Sequence, residues 1–245
     1  MADTVTLGSA AALRDVSTLA ARALRLDEAG SMRIIADSGV LAAFVAVIAP
    51  KGLLDRSPTV LGLRTLAAPA GTVDAVVPLR SLQNRVDARL ALVTDDAAPA
   101  ELTLPTPVHS VSWAAISPPR GGWQRMAPVD PALLRRTAAE GIAEVAAAVP
   151  DNPGQALVDR LRVEVWGRPI EGHDHLPAGA AFAAEALGFL GDAADGDPSG
   201  DSEGAERGSH ASADAEPVQQ FASGAWLRLT TRRGHVLVKP VAWGL

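Results

Sequence analysis

The 245 residues are 48% hydrophobic and carry 22 basic against 28 acidic side chains, composition enough for a substantial core and a formal net charge of −6. Eight acids and one arginine lie between Asp192 and Pro217, so that tract holds −7 and the remainder, −6 minus −7, holds +1, which argues against a dedicated nucleic-acid binder with its clustered Lys and Arg. Cysteine is absent, excluding disulfides and thiolate chemistry, and with no secretory leader pattern and no apolar run near the ~20 residues of a membrane span, the expectation is a cytoplasmic protein without a membrane partner.

Ser9 precedes apolar residues at Leu13, Val16, Leu19, Ala20, Ala23 and Leu24, a spacing that predicts a capped helix over about 9–25. MRIIA and VLAAFVAVI flank Asp37-Ser38-Gly39 and predict a hairpin; TVLGLRTLA (59–67) and TVDAVV (72–77) read as two further strands. Leu79, Leu82, Val86 and Leu90 place a short helix next, and Val108 to Ile116 reads as the last strand of this half. Asp130-Pro131 pairs an N-cap acceptor with proline at the first helical position, and Leu134, Ala138, Ile142 and Val145 follow as a buried stripe. Residues 155–166 fit a helix in their first half and a strand in their second, and stay open. AGAAFAAEALGFL (178–190) reads as a buried helix, and WLRLTT and HVLVK as a closing hairpin around Arg232-Arg233-Gly234. No internal repeat is visible in the letters.

The expected architecture is α+β: a helix plus antiparallel-sheet lobe (1–116), a Pro/Gly-rich corner (117–129), a smaller helical lobe (130–191), a disordered acidic linker (192–217) and a C-terminal hairpin packing on the body (218–245). SVSWAAISPPRGGW, ALGFLG and GAWLRLTTRRGHVLVKP resemble segments of a family of uncharacterised actinobacterial proteins, mainly over the C-terminal half. That resemblance implies no activity.

Candidate chemistry is sparse. Asp195 to Glu206 places acids at the positions of a calcium-binding helix–loop–helix, but Ser202 stands where an apolar residue packs and no exit helix follows, so a solvated linker is expected there. His173 and His175 in EGHDHLP offer two nitrogens to a metal and need a third ligand from elsewhere. No nucleophile elbow, phosphate loop or dinucleotide fingerprint occurs, and no cofactor is expected. In SPPRGGW, two prolines stiffen and two glycines bare the chain beside Arg120 and Trp123. The residue-level reading is therefore a non-enzymatic interaction or regulatory protein. It binds an unidentified protein partner through that corner and the basic hairpin, with Arg120, Arg232 and Arg233 for charge and Trp123 and Trp226 for area. The alternatives are nucleic-acid binding by the hairpin and a metal-dependent enzyme using His173 and His175.

Overall fold

The computed structural model describes residues 3–52, 55–148, 154–191 and 216–240. In chain order the elements are β1 (Thr4–Leu7), α1 (Ala10–Leu26), β2 (Ser31–Asp37), β3 (Val40–Ile48), β4 (Thr59–Ala67), β5 (Val73–Pro78), α2 (Leu79–Leu90) and β6 (Ala100–Thr103). A 3-10 turn at Ser112–Ala115 leads to β7 (Gln124–Arg125), α3 (Pro131–Ala148), α4 (Gln155–Gly167), β8 (Pro169–Ile170), β9 (His173–Pro177) and α5 (Ala178–Ala186). The chain closes with β10 (Gln219–Ser223), β11 (Trp226–Thr231) and β12 (Gly234–Lys239). The class is α+β, with the C-terminal strands in a hairpin as the alternation predicts. The calcium-like loop and nearly all of the acidic tract lie outside the described residues.

Local chemistry accounts for several of these elements. Ser9 accepts the backbone N–H of Ala12 and starts α1, whose Leu13, Val16, Leu19, Ala20 and Ala23 are buried. Ser38 and Gly39 both take positive φ, the geometry of a two-residue turn whose twist matches a hairpin, and so fix the β2–β3 register. Asp130 caps α3 by accepting from Ala132. The ambiguous 155–166 segment is helical: Val165 and Trp166 pack with Ala178 and Phe182, and the Trp166 and Phe182 rings stack at 4.4 Å. Tertiary packing decided what the local pattern left open.

Eight strands form one antiparallel sheet in the order β5-β2-β3-β4-β12-β11-β10-β7. Its two halves mirror each other about the β4–β12 pair. Helix α1 leads into the meander β2-β3-β4, and α5 leads into β10-β11-β12. Each half is flanked by an outer strand that precedes a helix, β5 before α2 and β7 before α3. This approximate two-fold relation is a repeat of topology that the sequence does not display, because equivalent segments occur in different chain order.

One face of the sheet is covered by helices. Met32, Ile34, Leu41, Ala43, Val45, Val60, Val236 and Val238 alternate into a core shared with α1 and α5. Two arginines tie the helical layer: Arg22 of α1 donates to the Leu187 carbonyl at 2.6 Å, and Arg135 of α3 to the Leu190 carbonyl at 2.7 Å. The small β1–β6 sheet closes this core beside α1, with Val5, Leu7 and Leu102 buried.

Among the described residues no α-helix covers the opposite face. Because β5 and β7 stand at the two edges, the chain between them must cross seven inter-strand gaps, roughly 33 Å at about 4.8 Å each. It does so over the outer face. The Val108 N–H bonds the Val76 carbonyl on β5, Trp113 and Ile116 lie over the sheet centre, and β7 pairs with β10. The strand expected at 108–116 is therefore a crossing connector with one 3-10 turn. Its alternation satisfies packing on a sheet face instead of pairing within a sheet.

Candidate functional site: the outer sheet face beneath the connector

The register places the outer-face side chains in rows across the strands. Ala46, Leu61, Leu237, Arg228, Phe221 and Arg125 form one row, and Val76, Arg33, Phe44, Leu63 and His235 the next. Leu61, Leu237 and Trp226 are buried there under Trp113, Ile116 and Trp123.

Arg33 pins the connector. Its guanidinium makes a two-pronged pair with Asp74 at 2.9 and 2.8 Å, and the same group donates to the Ala114 carbonyl at 2.7 Å and to Ser117 Oγ at 3.0 Å. The hydrogen bonds from Arg33 hold the Asp74 carboxyl below its ordinary value, and the charges of Arg33 and Arg120 add to the effect. Where the connector lifts away from this pin, a cleft opens. Its floor is Ile35, Phe44 and Leu61, and its wall is Trp113, Ile116 and Pro118, with Arg33 and Arg120 at the polar rim. The cavity is about 80 Å³, well below the roughly 300–1,000 Å³ of a small-molecule site. It suits one anchoring side chain.

Further along, Arg228 lies against two aromatic rings, its Cζ 4.6 Å from the centroids of both Trp123 and Phe221. Burial lowers its pKa. His235, on the neighbouring strand, is held down to about 4, mainly by burial and further by the charges of Arg228 and Arg64; its Nδ1 lies 3.0 Å from Thr230 Oγ1.

The residues singled out in the sequence fall in different places. Arg120 is exposed at the cleft rim, and Trp123 lies half-buried over Arg228. Trp226 is only 7% exposed and belongs to the packing beneath the connector, so its area is spent inside the fold. Arg232 sits at the hairpin tip paired with Glu216 at 2.8 Å. Arg233, next to it, gives its carbonyl to Arg64 and lies beside Gly191. The hairpin tip and the corner are separate surfaces. His173 and His175 share β9, with ring centroids 6.4 Å apart, and His175 Nε2 lies 2.9 Å from Gln220 Nε2. Among the described residues no cluster of three or more His, Asp or Glu side chains gathers to hold a metal, and no helix is long and apolar enough to cross a membrane.

Residues 118–243 match the model of a domain of unknown function, DUF8185, over more than half of the chain. The chain belongs to the DUF8185 family. Its first half, residues 1–115, matches a second domain of unknown function, DUF8010. In this DUF8185 protein the two matches meet at the connector, beside Ile116 and Ser117. No curated protein sequence matches the chain. Among solved structures it is similar to the DNA polymerase sliding clamp from Caulobacter crescentus, at 12% identity and a TM-score of 0.47, covering 99% of this chain and 66% of that one. It is also similar to the DNA polymerase III subunit beta from Pseudomonas aeruginosa, at 11% identity and a TM-score of 0.44, covering 99% and 65%. This chain thus spans just under two thirds of those chains' length.

Arg33 and Arg228 carry much of this site; Arg33 escaped the sequence reading, and Arg228 entered it only as one of the bases of the closing hairpin. The available signal was a charged residue inside each of two otherwise uncharged strands, MRIIA and WLRLTT.

Proposed function

We propose that this protein is a non-enzymatic interaction module whose docking surface is the outer sheet face beside the connector. The observation that carries the reading is the cleft between Phe44, Leu61, Ile116 and Pro118: apolar, sized for one side chain, and open on a sheet face that no α-helix covers among the described residues. A partner segment inserts one aliphatic or aromatic side chain there, while Arg120 at the rim and the half-buried Trp123 contribute charge and area beside it. The Arg33 pin supports the reading because it fixes the connector, so the cleft exists before binding and little ordering is required on association.

Arg232 and Arg233 enter this reading only as hairpin-tip residues remote from the cleft. A nucleic-acid interface on that tip would need Arg232 to exchange Glu216 for phosphate.

The test is affinity purification of the tagged protein from its source cells at two salt concentrations, beside Phe44→Ser and Arg232→Ser variants that retain wild-type circular dichroism. The reading expects a protein partner lost with Phe44→Ser, kept with Arg232→Ser, and little affected by salt. Recovery that is indifferent to Phe44→Ser, or that collapses with salt and with Arg232→Ser, would refute it.

A further inference from the structure

Arg228 and Arg89 each bury an Nε without a hydrogen bond, and of the two Arg228 lies on the outer sheet face against aromatic rings, whereas several other part-buried arginines meet an acceptor. Arg33 meets Asp74, Arg64 meets Asp15, and Arg22 and Arg135 take main-chain carbonyls. Arg228 has no acceptor among the described residues, and its Nε is buried without a hydrogen bond. Its immediate sheet neighbours are Phe221 and Leu237, with Trp226 and Thr230 two residues away along β11, and none carries a negative charge. Two rings border the guanidinium and offset part of the cost of stripping its water. A guanidinium fork so placed and left without a carboxylate is open to one from outside.

We propose that Arg228 is the specificity residue of the docking face and receives an Asp or Glu carboxylate from an extended partner segment whose apolar side chain fills the cleft. The inference rests on the docking reading given above. The register supplies the spacing: Leu61 on the cleft floor pairs with Leu237, and Leu237 with Arg228, so cleft and cation are two strand steps apart, about 10 Å. An extended peptide advances about 3.3 Å per residue, which separates the anchor and the acid by about three positions. The occupant is a protein segment because the cation lies within an extended peptide's reach, about 10 Å, of an apolar cleft of side-chain size.

The probe is a random twelve-residue phage-displayed peptide library panned on the intact protein. Sequences pairing an aliphatic or aromatic residue with Asp or Glu two to four positions away are expected. In the best synthetic peptide, changing that acid to its amide should weaken binding roughly ten- to hundredfold, the range of a charge-assisted hydrogen bond. On Arg228→Gln the acid preference should vanish while the apolar preference stays; Arg228→Lys should retain part of the acid preference. A readout on the wild-type protein guards against misfolded variants: the ¹⁵Nε resonance of Arg228 should move with the acidic peptide and stay in place with its amide counterpart. Apolar enrichment without an acid, or an unmoved Arg228 resonance, overturns this inference and leaves the docking reading intact. Failure to enrich any peptide on the wild-type protein overturns both.

Discussion

Acidification from pH 7.5 to 5.0 should destabilise this fold through one side chain, His235. Its imidazole is half-buried on β12, feels the positive charges of Arg228 and Arg64, and titrates near pH 4 instead of near its ordinary 6.5. Between these values the unfolded chain binds a proton that the folded chain refuses, so stability is complete above pH 6.5 and falls as pH drops toward 4. The full difference is worth about 3 kcal/mol, and about 2 kcal/mol of it is lost by pH 5.0. Urea unfolding of the wild-type protein and of His235→Gln at the two pH values isolates the contribution, since other titrating groups act on both proteins. The wild type should lose about 2 kcal/mol more than the variant over this interval. Equal losses would refute the claim that burial beside two arginines keeps this imidazole neutral.

Arg33→Ala should cost roughly 1.5–3 kcal/mol, because its hydrogen bonds to Asp74, Ala114 and Ser117 go together, and hydrogen exchange at Ala114 and Ile116 should accelerate. Trp226→Ala should cost roughly 3–5 kcal/mol in the same assay, as expected for a buried indole; a change below about 1 kcal/mol would mean that the outer face is not packed beneath the connector. Gly141→Val should destabilise α3 by about 1–3 kcal/mol, since an added Cβ would meet the buried Trp166 ring at 2.4 Å; the thermal midpoint reads this. Arg232→Ser should change stability by less than about 0.5 kcal/mol, its pair with Glu216 being solvent-exposed.

What the sequence disclosed follows the range of the interactions involved. Ser9, Ser38-Gly39 and Asp130-Pro131 act on their own neighbours, so α1, the β2–β3 turn and the start of α3 were legible. β1, β6 and β7 were not, because each has two to four residues and is paired by partners distant in the chain: Leu7 with Ala100, and Arg125 with Phe221. The connector misled for a related reason. VSWAAI alternates as a strand does, and only the placement of β5 and β7 at opposite edges turns that alternation into packing across a sheet. At the site, Arg120 and Trp123 stood out through the odd composition around them. Arg33 and Arg228 looked like ordinary outward-facing strand residues until register put one under the connector and the other against two rings. Trp226 erred the other way, since an aromatic in a hairpin reads alike whether it faces a partner or the protein's own connector.

The central claim is that the outer face beside the connector receives a protein partner, and site-specific photo-crosslinking tests it most directly. A photoreactive amino acid at Ile116, beside the cleft, is compared inside the source cells with one at Arg85, on the separate groove between α2 and the Pro105–Val108 segment. The account predicts a discrete protein adduct from position 116 that disappears when Phe44→Ser is added, and none of that mass from position 85. The same adducts from both positions, or none from position 116, would contradict it.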